Sequence, residues 1–418
     1  MIGVYKLPKT SDKKDFIYNI LGSMVNAAVS IILLVVVSRV LGGTASGIFS
    51  LAYSTAQMMY TVCVFEMRNI QVTDAKREYK FNSVFMFRIL TTIGMAIFFV
   101  VFAFINKYSG EKLLIISLLT IYMSILSFSD LFQGNMHFNG YLFIAGRGLA
   151  CQVAIATIGF SIALLVTEKL ALSIVVMIIL ATLWMLLHDV PFSKNFDKAK
   201  PKMDFATQIK IFYCAAPLFL ASFLLQYIFN APKYAIDNIL SPIEQSHYGY
   251  LVMPTFFINL LSVFVFRPQL VPLSQNWASR NFGKFIKTTG FLYAWIGAVS
   301  ILAVCAGYVL GIPVLGFLYG SDLSGKESIL AILLVAGSFS AACSLTSTLI
   351  TIMRKQKYCI VAYVVAFAIS LILPNYLVSK FEMKGAAISY LLEMAFLFIM
   401  LMVIFVILFN KERKAENV

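Results

Sequence analysis

Residues 17–38 read IYNILGSMVNAAVSIILLVVVS. This stretch contains no charged residue, and it has about the 20 residues that an α-helix needs to cross the hydrocarbon core of a bilayer. Similar runs follow one another to the end of the chain, separated by short segments rich in charge or turn-forming residues. A β-barrel strand would need only about 10 residues of alternating polarity. The runs therefore predict transmembrane helices.

The composition supports the same all-α, polytopic membrane fold. Of the 418 residues, 60% are hydrophobic and 12% are charged, whereas soluble domains carry about 45–50% and about 25%. A soluble core stops growing at roughly 250–300 residues, so lipid must surround most of this chain. About twelve spans are predicted, at residues 17–38, 46–65, 83–105, 113–133, 149–166, 171–190, 211–232, 247–268, 288–310, 327–350, 359–379 and 385–409.

The basic residues indicate the orientation. The formal net charge is +14, but lysine and arginine punctuate the apolar runs and do not collect on one domain. With the N-terminus in the cytoplasm, the inner segments hold about three times as many of them as the outer segments, which is the positive-inside pattern. Both termini are thus predicted to be cytoplasmic, the first span to be an uncleaved anchor, and nucleic acid not to be a partner.

The predicted domain organisation is two bundles of six helices. The longest polar break, residues 191–210, separates residues 1–190 from residues 211–418. Polar residues on the first and seventh spans recur at steps of four, three and four, so each set lies on one helical face. If this is not chance, both spans line a central cavity. The two sets are Asn19, Ser23, Asn26 and Ser30, and Gln226, Asn230, Lys233 and Asp237.

Five cations near span ends are candidates for binding substrate. They can extend to the lipid headgroups, as long basic side chains near helix ends commonly do. Alternatively, with Asn26 and Asn230, they form a polar cavity for an anion, because arginine binds phosphate in a bidentate manner. The cations are Arg39, Arg88, Arg147, Lys233 and Arg267.

Three acids are candidates for coupling transport to a cation gradient. Glu393 is the deepest, about nine residues into the last span. An acid within the membrane is costly and usually functional, although a protonated glutamate bonded to a neighbouring helix would also satisfy the pattern. Asp130 and Asp237 are the other two.

No cofactor, metal site or enzyme is predicted. The six cysteines form no CxxC pair, and the three histidines lack metal-ligand spacing. No phosphate-binding loop or nucleophile motif is present. Energy for transport would come from an ion gradient, the membrane potential or the substrate gradient.

Several short motifs occur along the chain in a characteristic order. They are residues 19–23 (NILGS), 38–42 (SRVLG), 46–52 (SGIFSLA), 272–274 (PLS) with Phe282, Lys284 and Phe285, 318–321 (LYGS), and 385–388 (GAAI) leading to Glu393. In order and spacing they resemble polysaccharide-biosynthesis flippases of the Wzx type, in the multidrug/oligosaccharidyl-lipid/polysaccharide exporter superfamily. The resemblance runs along nearly the whole chain.

This resemblance implies two six-helix bundles around a central cavity. It implies alternating-access transport of undecaprenyl-diphosphate-linked oligosaccharides from the inner to the outer leaflet of a bacterial plasma membrane, for O-antigen (lipopolysaccharide), capsule or another glycan. The cations would meet the diphosphate, and the partners would be membrane lipids and a polysaccharide polymerase complex. The chain departs from the longer peptidoglycan-precursor flippases, because its first span carries only Arg39 in place of their basic cluster.

Two other functions remain as alternatives. The first is a cation-coupled exporter of small, drug-like molecules from the same superfamily, which an acid early in the first span would favour; that span has none. The second is a membrane-embedded glycan polymerase or acyltransferase. Such an enzyme should have a large outer loop or a His/Asp pair, but the outer loops are short and His188–Asp189 lies on the predicted inner side.

Overall fold

The computed structural model describes residues 11–73, 78–197, 201 and 203–414. Regular structure within these ranges is helical, with π turns at Met185–Asp189 and Gly307–Gly311 and a short 3-10 turn at Gln356–Tyr358. The helices are α1 (Asp12–Val64), α2 (Met67–Thr73), α3 (Phe81–Ile105), α4 (Gly110–Phe138), α5 (Leu142–Thr167), α6 (Leu170–Trp184), α7 (Val190–Ser193), α8 (Phe205–Ile239), α9 (Pro242–Ala278), α10 (Phe282–Ala306), α11 (Ile312–Tyr319), α12 (Glu327–Ile352), α13 (Cys359–Ser370) and α14 (Leu373–Lys414).

The predicted membrane fold is confirmed. Among the described residues, nine helical stretches are long and apolar enough to cross a membrane. The predicted spans fall on helical segments, although residues 359–379 are divided between α13 and α14. The first of these stretches holds two predicted spans, because two helices join there across a kink at Gly42. The chain is therefore a multi-pass α-helical membrane protein.

Kinks divide the two longest helices. In α1, which holds the first two predicted spans, Gly42 has φ 80° and ψ −173°. In α14, Glu382 has φ 51° and ψ −136°. These left-handed conformations interrupt the helical hydrogen-bonding pattern, and they separate one predicted span from the next on the same continuous stretch.

The chain forms two compact units, Met1–Phe223 and Leu224–Val418. The division falls inside α8, whose first half packs in the first unit: Gln208 Nε2 donates to the main-chain oxygen of Ser83 at 3.2 Å. The boundaries predicted from the sequence at residues 190 and 211 stay a prediction. Lys198, Lys200 and Lys202 of that linker lie outside the described residues.

Aromatic packing closes the first unit around the end of α1. The ring of Phe65 stacks on Phe219 with centroids 4.0 Å apart and meets Phe87 edge-on at 5.5 Å. Aromatic pairs of this geometry add about 0.5–1.5 kcal/mol each beyond the area they bury. This cluster joins α1, α3 and α8 where the candidate site lies.

The second unit has its own aromatic cluster, formed by α9, α10 and α14. Trp277 lies 5.2 Å from Phe285 between ring centroids, and Phe285 stacks on Phe409 at 6.2 Å. Further along α9, Tyr250 stacks on Tyr319 with centroids 4.1 Å apart. These contacts hold together the helices that position Glu393.

In the first unit, α1 packs most extensively on α5. Their backbones approach closely at Gly22, where an added Cβ would lie 2.7 Å from the carbonyl oxygen of Gly146. Small residues permit this approach and are the usual basis of helix association in lipid. Asp15 fixes the same crossing, because its carboxylate accepts a 2.7 Å hydrogen bond from the Phe143 main-chain N–H at the start of α5.

We expect Gly22→Leu to lower the free energy of unfolding by about 1–3 kcal/mol, since a larger side chain would force α1 and α5 apart. Unfolding of the purified protein in mixed micelles with increasing SDS measures this change. Gly94→Leu is the matched control, because no atom lies within 4 Å of an added Cβ there. Equal stability of the two variants would contradict the prediction.

Candidate functional site

A buried ion cluster of Arg68, Arg88 and Asp130 lies in the first unit. Arg68 Nη1 donates to Asp130 Oδ1 at 2.7 Å, and Arg88 Nη2 donates to Asp130 Oδ2 at 3.3 Å. The Arg88 side chain is 1% exposed, whereas that of Arg68 is 31% exposed and forms the edge of the cluster. One carboxylate thus faces two guanidinium groups, which leaves a formal excess of one positive charge.

The end of α1 explains why these residues meet. Phe65 and Glu66 both adopt left-handed conformations (φ 48° and 53°), so the chain turns sharply before α2 begins. The last carbonyl groups of a helix lack partners within it and carry partial negative charge. The oxygen of Cys63 is one of them, and it accepts a 3.2 Å hydrogen bond from Arg88 Nη1.

Side chains hold this turn in place. Glu66 accepts hydrogen bonds from Ser222 at 2.6 Å and from Asn69 at 2.7 Å. Because Ser222 belongs to α8, the turn is tied to a helix distant in sequence. This attachment fixes α2, and with it Arg68, against α4.

The arginines of this cluster retain capacity to bind an anion. A guanidinium has five N–H donors, and Arg88 Nε has no hydrogen-bond partner among the described residues. Desolvating a charged group costs several kcal/mol unless its partners compensate. A second anionic group beside Asp130 would reduce both the unmatched charge and the unused donor capacity.

A second polar group adjoins the ion cluster. Gln133, three residues after Asp130 on the same side of α4, donates to Asp189 Oδ2 at 3.2 Å. Asp189 Oδ1 lies 2.8 Å from His188 Nδ1, and His188 Nε2 lies 3.4 Å from Arg147 Nη2. Asp189 is fully buried and His188 is nearly so. The first unit therefore contains a continuous polar layer across α2 to α5 and the π turn after α6.

The second unit contains a buried carboxyl group without a partner. Glu393 is 1% exposed, and neither of its carboxyl oxygens has a hydrogen-bond partner in the described part of the chain. Tyr390, one turn earlier on α14, and Tyr248 on α9 lie close enough to interact with it electrostatically. The Tyr248 hydroxyl is likewise buried without a described partner.

The predicted residues of α8 are mostly buried. Asn230 and Lys233 are 1% and 3% exposed. Asn230 Nδ2 donates to the main-chain oxygen of Gln226 at 2.9 Å, and Lys233 Nζ lies 6.0 Å from the centroid of the Phe229 ring. Asp237 is half-buried. Two residues of the predicted stripe are thus buried and the other two are half-buried, and its role in lining a cavity stays a prediction.

The predicted site residues of α1, unlike most of those of α8, are not buried. On α1, Asn26 and Arg39 are exposed. The side chains of Asn19 and Arg267 lie outside the described part of the structure. Of all the predicted site residues, the structure brings Arg88 and Asp130 into direct contact, whereas Arg147 meets the previously unassigned His188.

Sequence reasoning did not identify Arg68, Gln133 or Asp189 as site residues. In the sequence, Arg68 contributes only to the positive-inside pattern, and His188–Asp189 is only a candidate catalytic pair. The spacing of Asp130 and Gln133 was the available signal, since residues three apart share a helical face. Their partners come from other helices, so the pattern alone did not reveal the layer.

One carboxylate outside the predicted spans is well stabilised. Asp322, in the loop after α11, accepts hydrogen bonds from the side chain and main chain of Ser324 at 2.6 and 2.9 Å. These bonds lower the pKa of Asp322 below its usual value. The loop borders a cavity of about 510 Å³ with Tyr308, Phe317 and Glu327, and none of the predicted site residues lines it.

Sequence comparisons gave no relative: no family model matches the chain, and no curated protein matches it. Solved structures do match. An inward-facing multidrug resistance MATE family transporter of the MOP superfamily aligns with TM-score 0.64 and 10% identity over 95% of this chain and 99% of that one. The lipid II flippase MurJ, in an inward closed conformation, aligns with TM-score 0.67 and 16% identity over 92% and 87%.

A eukaryotic MATE transporter, AtDTX14, aligns with TM-score 0.63 and 14% identity over 97% of this chain and 98% of that one. These three structural neighbours are two transporters and a flippase. At such low identity, the likeness establishes that the chain has their fold.

We expect Asp130→Asn to lower the free energy of unfolding by about 3–5 kcal/mol, because removing one partner leaves the buried Arg88 charge uncompensated. SDS-induced unfolding in micelles measures the change. The exposed Asp322→Asn is the matched control. The double variant Arg88→Met/Asp130→Leu should be more stable than Asp130→Asn alone, and the opposite order would show that the cluster is not held by charge.

Proposed function

We propose that this protein is a flippase that moves an undecaprenyl-diphosphate-linked oligosaccharide from the inner to the outer leaflet of a bacterial plasma membrane. Its product would supply O-antigen or another surface polysaccharide. The observation that carries the proposal is the cluster of two arginines around one carboxylate, with Arg88 buried and Arg68 at the edge. In the predicted orientation, this cluster lies at the cytoplasmic ends of the helices, where such a substrate is made.

The chemistry of the cluster suits a diphosphate. Arginine binds phosphate oxygens in a bidentate manner, and hydrogen bonds between ions are roughly twice as strong as those between neutral groups. Arg68 is accessible at the edge, so it would meet the diphosphate first, and Arg88 would offer its unused Nε donor. Asp130 would keep the two guanidinium groups in place when no substrate is bound.

The fold suits an amphipathic substrate. A lipid-linked sugar needs a polar route for its head, while its isoprenoid tail can stay in the lipid. Similarity to a lipid II flippase supports a lipid-linked substrate, and transport would proceed by alternating access. Membrane lipids and a polysaccharide polymerase complex are the partners that this function requires, and both termini would be cytoplasmic.

Glu393 is the proposed coupling residue. Its buried carboxyl group could exchange a proton or another cation as the surroundings open to either side of the membrane. Asp130 is less suited to this role, because two arginines already compensate its charge. The sequence contains no nucleotide-binding motif, so an ion gradient or the substrate gradient would supply the energy.

A cation-coupled exporter of small molecules is the second candidate. Two observations favour it. MATE transporters are among the structural neighbours, and Glu393 has tyrosines near it and no hydrogen-bond partner among the described residues, which suits an organic cation. The buried arginine cluster argues against it, since excess positive charge repels cationic drugs. A membrane-embedded polymerase or acyltransferase is disfavoured because Asp189 is fully buried.

Deleting the gene tests the function directly. We expect loss of surface polysaccharide and accumulation of undecaprenyl-linked repeat units, measured by mass spectrometry of extracted lipids. A plasmid copy of the gene should restore both. Unchanged polysaccharide with no trapped intermediate would refute the proposal, and changed drug sensitivity on overexpression would then support the exporter.

We expect Arg88→Ala and Arg68→Ala each to reduce polysaccharide export at least tenfold, because one hydrogen bond to a charged group contributes about 1.5–3 kcal/mol and about 1.4 kcal/mol corresponds to a factor of ten. Complementation of the deletion strain measures export, and immunoblotting of membranes shows that insertion is intact. Lys169→Ala, at an exposed position, is the control. Normal export by both arginine variants would exclude the cationic site.

We expect Glu393→Gln to abolish the pH dependence of transport, because glutamine cannot take up or release a proton. Transport into proteoliposomes across a range of imposed pH gradients measures this. Asp322→Asn is the control acid, since Asp322 is exposed in the loop after α11. An unchanged pH profile for Glu393→Gln would make Glu393 a structural residue.

A further inference from the structure

Asp189, His188 and Arg147 form a series of side-chain contacts to which the proposed function gives no role. An arginine side chain can only donate hydrogen bonds, so His188 Nε2, 3.4 Å from Arg147 Nη2, must be the acceptor. The imidazole then carries its proton on Nδ1 and donates it to Asp189 Oδ1 at 2.8 Å. Gln133 donates to the other oxygen of the same carboxylate. With these directions the imidazole is neutral, and its Nδ1–H points at the Asp189 carboxyl group.

From this arrangement we infer that His188 is a positioning residue. Neutral His188 holds Arg147, whereas protonated His188 releases it. The released Arg147 then binds an anion at this end of the first unit. The inference rests on the proposed function for the identity of that anion. The proton comes from water and binds Nε2, while the other proton stays on Nδ1 and keeps its hydrogen bond to Asp189 Oδ1. Two N–H groups then face each other, so the contact between His188 and Arg147 is lost.

The local backbone is built for this contact. His188 and Asp189 are consecutive, and in an α-helix neighbouring side chains diverge by about 100°. Here they lie in the π turn Met185–Asp189, a feature often found at functional sites. Gly148 provides the space, because a Cβ there would lie 2.7 Å from Asp189 Oδ1 and 2.9 Å from His188 Cε1.

The imidazole ring is held while Arg147 can move. Trp184 stacks on His188 with centroids 5.1 Å apart and an interplanar angle of 16°, and Phe192 lies on it at 4.9 Å. Arg147 is only half-buried, and its guanidinium carbon lies 5.9 Å from the centroid of the Phe192 ring. Once released, Arg147 can therefore turn outward without disturbing the ring.

Few charged groups surround His188. The π turn packs against α4, α5, α6 and α7. The titratable groups on these helices that bear on the layer are Asp130 and His137 on α4 and Arg147 on α5, while α6 and α7 carry none. Arg68, on α2, interacts electrostatically with Asp189. Asp130 is already paired with two arginines, so Asp189 and Arg147 are the ionisable groups in direct contact with His188.

The tautomer of His188 can be observed in the wild-type protein. With only three histidines in the chain, ¹⁵N-histidine NMR in phosphatidylcholine nanodiscs resolves each ring, and His137→Gln and His247→Gln assign the other two. We expect neutral His188 to carry its proton on Nδ1, and Arg147→Gln to weaken that preference. A proton on Nε2 in the wild-type protein would overturn the inference.

Binding of inorganic diphosphate tests the release. His188→Gln can donate to Asp189 and accept from Arg147 but cannot gain a proton. We expect wild type and variant to bind equally at pH 8, and wild type to bind about tenfold more tightly at pH 5.5, as one added ionic contact would give. Diphosphate itself changes protonation with pH, and dividing the wild-type Kd by the variant Kd at each pH removes that effect. A ratio that does not change with pH would overturn the inference.

His137→Gln is the matched control and should keep the wild-type dependence on pH. Neither measurement uses a lipid-linked sugar, so the two proposals can fail separately. A deletion strain with normal polysaccharide would refute the proposed function while leaving the tautomer and the binding ratio to decide the role of His188. Normal flippase behaviour with a constant binding ratio would refute the role of His188 alone.

Discussion

The lack of water in the bilayer core is the constraint on which the rest of this structure depends. A backbone N–H or carbonyl without a partner costs several kcal/mol in hydrocarbon, which explains why the described regular structure is helical. The same constraint makes helix ends important, since their last carbonyls need partners. The oxygen of Cys63 at the end of α1 accepts hydrogen bonds from Thr91 Oγ1 at 2.7 Å and from Arg88 Nη1 at 3.2 Å, so a buried charged residue shares this carbonyl with a neutral one.

A buried charge requires partners that compensate it. Arg88 requires Asp130, Asp130 has a second oxygen that binds Arg68, and Gln133 on the same helical face reaches Asp189. Such a layer need not stabilise the fold more than apolar packing would, because desolvation offsets much of the attraction. Its retention is better explained by a task that needs fixed charges, and binding of a phosphate-bearing head is such a task.

The two units differ in how they treat their buried acids. In the first, Asp130 and Asp189 are paired with cations or amides. In the second, Glu393 is enclosed by tyrosines with no described hydrogen bond. Paired acids hold neighbouring groups in position, whereas an unpaired acid can change its protonation state at little structural cost. The proposal therefore assigns substrate binding to the first unit and ion coupling to the second.

The sequence by itself determined the fold class and the positions of the helices. Apolar runs such as residues 17–38 are long enough to span a bilayer, and hydrophobicity over 20 residues is a local property that needs no tertiary information. It also indicated Arg88, Asp130 and Glu393, because a charge inside such a run is visible without knowing its neighbours.

Only the tertiary structure decided which charges meet. Arg68 and Asp130 are 62 residues apart in sequence but 2.7 Å apart in space, and Arg68 follows directly on the turn at Phe65 and Glu66. The role proposed for His188 depends on a π turn, which no sequence pattern predicted. Periodicity specifies the face of each helix, but the partner of that face is set by packing between segments distant along the chain.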